Sequence, residues 1–491
     1  MGGRKRKRAK DKSPSVPEKR SRRIMPVRGV SMNVLPDDIL VIIFELLPPA
    51  DRCRTERVDQ RWRDLAKFRS WSNFKVLKAD DFPVTSNGEV VVGYPLDSVL
   101  PRCAKFLDEV DLRRFHNSID AFEKNVRYMA KLRHLHLGNE RVNLIRLVRF
   151  LPKLKSLALH GREIDSAGIK DIRTNCKELE LLHLTGRLYS PGFNCRARLP
   201  STLKCFEINN LDIYTVMDRI NEQGIQLESL SVRGPPYLSY WPHRLLQMNT
   251  TCLSNFSVQL SQSDCHDFLR VLRSINSPTV SFQKLHSLNL KLLNGVTALQ
   301  TEELISLTSQ NCSSLEHVGI YCYGLQSDTV LTPLAALEHL KSISITFPYP
   351  SPQLCRTRRI KAVKLLVKRL ITAGRLEHFE TNMPVDDKYI LRAITSLKNL
   401  HAFFCSNRTF PLEYLKEALD NERDDNAPIF RTNIDNADRA LKCKIFNHPG
   451  LEYCEKAPIS HVLLQYQYGG LRDRGCMPHF VTFPDYYSND D

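Results

Sequence analysis

The chain has 491 residues, 42% of them hydrophobic, and a formal net charge of +17. A large core is therefore affordable, whereas no run approaches the roughly 20 apolar residues of a membrane-spanning helix. The charge is local: residues 1–30 hold twelve Lys or Arg against two acids, residues 347–375 hold eight against none, and the rest is close to neutral, which argues against a generally nucleic-acid-binding body. The fourteen cysteines include no Cys-x-x-Cys pair, and the N-terminus carries no apolar signal region, so reduced thiols in the nucleus and/or cytoplasm are expected, with no zinc-finger spacing and no metal or other cofactor.

Residues 1–30 lack hydrophobic periodicity and contain Pro14, Pro17 and Pro26, the composition of a disordered basic tail. Its two clusters contain Lys5, Arg6, Lys7 and Arg8, then Lys19, Arg20, Arg22 and Arg23. Their spacing resembles a bipartite nuclear-localisation signal, which implies an import receptor as partner. A solvated tail that touches RNA nonspecifically is the other reading.

The next stretch, Leu35 to Trp62, contains the run Ile39-Leu40-Val41-Ile42-Ile43-Phe44, followed by Leu46-Leu47. A helix here is apolar around most of its circumference, inside a segment too short to cover every face. One face is expected to pack in a small unit and another to find a partner. Leu35-Pro36, Ile39, Ile43-Phe44, Leu47-Pro48-Pro49, Val58 and Arg61-Trp62-Arg63, with Trp71 behind, closely resemble the F-box. That resemblance implies a small helical unit over residues 31–76 that docks on the Skp-type adaptor, and through it on the cullin scaffold, of an SCF (Skp–cullin–F-box) ubiquitin ligase. It assigns adaptor contact to Leu35, Pro36, Ile39, Ile43, Phe44, Val58 and Trp62. Arg52-Cys53, where the family is usually apolar, and Asp59, where cysteine is common, depart from the pattern and are expected to soften the second helix.

Residues 77–106 read as an irregular join, with Trp71-x-x-Phe74-x-Val76 a degenerate first strand. Over 107–410 a template of Leu, two residues, apolar, one residue, apolar recurs twelve times, starting at Leu107, Leu132, Leu154, Leu179, Leu203, Leu227, Leu253, Leu285, Leu315, Leu340, Leu376 and Leu400. The starts lie 22 to 36 residues apart, the pattern of leucine-rich repeats. The expected fold class is thus α/β, a small helical unit followed by a solenoid of about twelve strand–helix repeats with a curved parallel sheet. In the helical halves, Ile169 and Ile172 precede Cys176, and Leu304 and Leu307 precede Cys312; both cysteines are expected as small buried residues. Residues 411–491 read as a C-terminal cap and tail, with a helix through Leu412, Leu415 and Leu419, a strand over 461–468 and a loose acidic end.

Alternation places the residues between the template's apolar positions on the concave face. The map includes Glu109, Asp111, Arg113, His134, His136, His160, His183, Ser231, Asn289, Tyr321, His378 and Phe404. His136, His160, His183, Ser231, Asn289, Tyr321 and His378 are the candidates for substrate contact. Only Arg113, Arg233 and Lys291 are cationic on this face, too few for a nucleic acid. The histidines are expected as hydrogen-bonding groups on a solvated sheet. The long repeat after Leu340 should hold a helix with Ile360, Val363, Val367 and Leu370 on one face and Lys361, Lys364 and Lys368 on the other. Arg356, Arg358 and Arg359 near its start are candidates for an anion-binding edge.

No Gly-rich phosphate loop, His-Glu-x-x-His or Gly-x-Ser-x-Gly occurs. The expectation is a non-catalytic substrate-recognition subunit of an SCF ubiquitin ligase, its repeats holding a protein target for ubiquitination and degradation. The alternative is a nuclear leucine-rich-repeat scaffold with nucleic-acid contacts through the basic tail.

Overall fold

The computed structural model describes residues 32–405, apart from 83–95, 116–118, 139–143, 161–165, 186–197, 210–212, 234–241, 243–249, 275–281, 349–352, 398 and 401, together with 429–432. The basic tail and its two clusters, the closing helix, the strand over 461–468 and the acidic end all lie outside the described residues.

The described residues begin with a 3-10 turn (Met32–Val34) followed by three short helices: α1 (Asp37–Leu46), α2 (Pro49–Thr55) and α3 (Gln60–Asp64). Local chemistry sets each start. Asp37 and Asp38 occupy the first turn of α1, where the helix dipole favours acids. Pro49 opens α2, where its fixed φ suits the first turn and its missing N–H costs nothing. Asp59 caps α3, its carboxylate accepting from the Trp62 N–H at 2.8 Å. The unit has its own core of Leu40, Phe44, Leu65 and Ala66, with the Trp62 ring 5.1 Å from that of Phe44. Arg61 draws α3 to the head of α1, donating to Asp37 at 2.6 Å and to the Leu35 carbonyl at 2.6 Å.

Among the described residues the remainder is an open curved sheet of fourteen strands, all parallel and in chain order, with helices between them. They are β1 (Val76–Leu77), β2 (Glu109–Asp111), β3 (His134–Leu137), β4 (Ser156–His160), β5 (Leu181–Thr185), β6 (Cys205–Asn209) and β7 (Ser229–Arg233), then β8 (Asn255–Leu260), β9 (Ser287–Leu292), β10 (His317–Tyr321), β11 (Ser342–Thr346), β12 (His378–Thr381), β13 (Ala402–Cys405) and β14 (Ile429–Thr432). Each of β2 to β13 falls on one of the twelve templates, and the leading leucine of every template is 3% exposed or less. β1 is the degenerate first strand, and β14 is a strand beyond the templates that pairs with β13 from Ala402↔Ile429 to Cys405↔Thr432. One core runs the length of the sheet. Ile169, Ile172, Cys176, Leu304 and Cys312 all lie in it, and burial pushes both thiols up to about 12. The long repeat forms the helix Gln353–Ala373, with Val363, Val367 and Leu370 buried and Lys361 and Lys368 exposed. No helix among the described residues is long and apolar enough to cross a membrane.

The helical unit is joined to this core along α2 and the segment after α3. Trp71, fully buried, belongs to the long core, its ring 5.5 Å from Phe74. Glu56 at the end of α2 pairs with Arg102 on α4 (Leu96–Cys103). Arg52 is the surprise: expected to soften α2, it is only 4% exposed and ties three segments together. Its guanidinium donates to the carbonyls of Glu45 at 2.6 Å, Leu47 at 3.2 Å and Ser70 at 2.8 Å, and lies 4.7 Å from the Trp71 ring. A planar, weakly hydrated cation suits this position because it meets an aromatic face and several carbonyls at once.

Candidate functional site

Three surfaces bear on function, the first being the outer side of α1. Leu40 and Phe44, four apart, point into the unit, at 0% and 1% exposure. Ile39, Ile42 and Leu46, spaced by three and four, form a second stripe at 44, 53 and 81%. Val34 at 72%, Val58 at 59% and Phe68 at 63% add further exposed apolar surface on the same unit. Of the residues assigned to adaptor contact, Pro36, Ile39 and Val58 are exposed, and Leu35, Ile43 and Trp62 are half-buried against the small core. Phe44 is corrected from contact to core residue: it offers no surface to a partner. Ile42 and Leu46 are not among the anchors of the family pattern, although the helical period of 3.6 already sets them beside Ile39.

The second surface is the concave face. Register aligns Asp111, His136, Ala158, His183, Glu207, Ser231, Ser257, Asn289, Gly319, Ser344, Glu380 and Phe404 along one line across the strands. Its first half is a polar network. Asp111 binds Arg113 at 2.6 Å and lies 3.9 Å from His136, whose rather buried imidazole titrates below the ordinary histidine range. The His160 and His183 rings meet edge to face, 4.6 Å apart. His183 Nδ1 is 3.3 Å from Glu207, its Nε2 is 2.9 Å from Thr185 Oγ1, and Glu207 lies 3.3 Å from Arg233. Burial, first among the causes, holds both His160 and His183 at about 3. The expectation of histidines on a solvated sheet is thereby corrected: these two are half-buried and neutral, His183 within a hydrogen-bonded network and His160 stacked against it with its Nε2 buried. Among the described residues no group of three or more His, Cys, Asp or Glu is arranged to hold a metal ion.

The middle of the face is lined mainly by small uncharged residues, with Ser229, Ser231, Asn255, Ser257, Ser287 and Asn289 all half-buried on β7 to β9. Gly319 lets the Asn289 amide lean across the next strand; a Cβ there would stand 2.9 Å from its Oδ1. Lys291 sits 5.6 Å from the Tyr321 ring, His378 is half-buried, and Ser344 donates to Glu380 at 2.8 Å. Burial raises the Glu380 carboxyl above its usual range, against the opposing pull of that hydroxyl. All three concave cations thus have neighbours within the face: Arg113 and Arg233 pair with carboxylates, and Lys291 lies near an aromatic ring.

The third surface is the Gln353–Ala373 helix. Arg356 and Arg358 are exposed, but Arg359 is 3% exposed and donates to the carbonyl of Tyr323, with its guanidinium 5.1 Å from the Phe347 ring. Arg359 is therefore removed from the anion-binding edge; it anchors the helix to the preceding repeat.

No curated protein shows a significant match to the chain. Residues 32–75, the segment that carries the two-faced helix α1, match the F-box-like family, and the chain carries an F-box-like domain there.

Proposed function

We propose that this protein is the substrate-recognition subunit of an SCF-type ubiquitin ligase. The observation that carries the reading is α1, a ten-residue helix with one apolar stripe in the small core and a second, Ile39-Ile42-Leu46, in solvent. Exposed apolar surface of this extent on so small a unit calls for a protein partner, and the F-box-like match supports a Skp-type adaptor, with a cullin scaffold behind it. Ile39, Ile42, Leu46, Val58 and Pro36 form the contact, and Leu35, Ile43 and Trp62 support it from beneath. The leucine-rich-repeat solenoid holds a protein target on its concave face, where Asn289, Tyr321 and His378 offer hydrogen bonds, whereas the Ser231 hydroxyl is buried beneath the face. The receptor's contribution is proximity: it holds a target lysine near ubiquitin activated on a recruited enzyme. The basic clusters of residues 1–30 serve nuclear import in this reading.

The test is capture of a purified Skp-type adaptor by the full chain. Ile42→Asp with Leu46→Asp should weaken capture by ~100-fold, while circular dichroism and melting temperature stay at wild-type values because both side chains are exposed. Undiminished capture by a folded double variant would refute the assignment.

A further inference from the structure

We propose that the exposed face of the Gln353–Ala373 helix docks an acidic polypeptide segment, a second binding surface separate from both the adaptor stripe and the concave face. The helix has 21 residues, seven of them Lys or Arg, and no acid. Its inner face is in the core through Ala362, Val363, Leu366, Val367 and Leu370. The cations therefore crowd the outer side, where Arg358, Lys361, Lys364 and Lys368 succeed one another at three and four residues, the spacing at which like charges repel. Arg356 stands in the first turn, the end of the helix dipole that disfavours a cation. Local stability does not explain such a pattern.

Neighbouring repeats neutralise the middle of the row only. Lys364 pairs with Asp386 at 2.7 Å and Lys361 approaches Asp328 at 3.9 Å. Arg356 and Arg358 at one end, and Lys368 and Arg369 at the other, are exposed and have no ion pair among the described residues. The two native carboxylates show how this face is satisfied, by single side-chain acids arriving at successive turns. The open cations continue that row over about 20 Å of helix, a length matched by a short peptide with several Asp, Glu or phosphorylated residues. Arg forks at one end suit phosphate as well as carboxylate. A nucleic acid fits less well, because it would need a longer series of phosphate contacts than four open cations provide. The concave face cannot take over this role, since its arginines are already paired with Asp111 and Glu207.

The proposal does not depend on adaptor binding, and its test uses the full chain alone. The probe is a fluorescein-labelled peptide of roughly 15 residues, alternating Glu and Ser, followed by anisotropy at about 150 mM salt. The basic N-terminal tail is present in every variant, so differences between variants report the helix. Replacing Arg356, Arg358, Lys368 and Arg369 together by Glu should weaken the peptide about tenfold or more. The milder chain carrying Gln at the same four positions should lose several-fold with an unchanged melting temperature, which keeps the test valid if charge reversal disturbs folding. Peptide affinity within twofold of wild type in the folded Gln variant would overturn the proposal. So would a result in which the variants lose a roughly 20-nucleotide single strand but not the peptide, which would make the face a nucleic-acid contact.

Discussion

His160 and His183 are histidines by composition and neutral dipoles by environment. Both are held at about 3 against an ordinary value of 6.5, and for both the largest cause is burial, which penalises the imidazolium. At His183 the neighbouring Arg233 adds to the depression, and at His160 the neighbouring His183 does so while the Asp111 carboxylate pulls the other way. A folded pKa below the unfolded one means that the unfolded chain takes up the proton first as pH falls. The stabilisation is complete above about pH 6.5 and is lost progressively from there toward pH 3. Each group can remove at most ~1.4 kcal/mol per pH unit in that window, less where water still reaches the ring. Urea midpoints at pH 7 and pH 5.5 should therefore differ in the wild type, and His160→Gln should narrow the gap; an unaltered gap would show that His160 is protonated with its surroundings. Their positions on the concave face were legible from strand alternation, but not their partial burial, which depends on Thr185, Glu207 and Arg233 arriving on the same and neighbouring strands. Arg52 and Arg359 teach the same lesson for cations. Arg52 reads as a residue that softens α2 and Arg359 as part of an exposed anion-binding edge, yet each is buried where backbone carbonyls far away in sequence, Ser70 and Tyr323, accept from it.

Among the elements, α1 separates stability from binding along a single helix. Phe44→Ala removes a ring that packs on Trp62 within the small core and should cost ~3–5 kcal/mol of that unit's stability. The exposed Ile42 and Leu46 should cost within about 0.5 kcal/mol when replaced and act on partner capture instead. Denaturant titration of Phe44→Ala beside the Ile42→Asp, Leu46→Asp chain separates the two: comparable stability losses would mean that the outer stripe is also packed. The repeat strands were legible because their apolar residues alternate and their leucines recur, and the leading leucine is buried at all twelve sites. β14 was not legible, since Ile-Phe-Arg-Thr carries no leading leucine and follows Asp424-Asp425-Asn426, a turn-rich context. It joins the sheet by extending the β13 edge, a backbone event that side-chain pattern does not announce.

For the whole molecule, the decisive feature is that the F-box-like unit and the solenoid share buried atoms. Trp71 belongs to the long core, and Arg52 spans from its ring to the end of α1, while Glu56 and Arg102 pin α2 to α4. If the proposed receptor role holds, this stiffness would serve it, because a target held at one end of a solenoid would reach a ubiquitin donor only when the adaptor-bound end keeps a fixed direction. The chain has three tryptophans, of which Trp62 reports the helical unit and Trp71 the joint, whereas far-UV circular dichroism is dominated by the repeats. Coupling through shared burial predicts that fluorescence and dichroism melt together in the wild type. Arg52→Met strands the carbonyls of Glu45, Leu47 and Ser70 and gives up the stacking on Trp71, offset by the relief of a desolvated charge, for a net loss of about 2 kcal/mol. That loss falls on the joint alone, so the fluorescence transition should move to lower temperature and part from the dichroism transition. If the two remain coincident in Arg52→Met, the joint is held by Trp71 and the Glu56–Arg102 pair without it; if they are already separate in the wild type, the two parts fold independently and the rigid-platform reading fails.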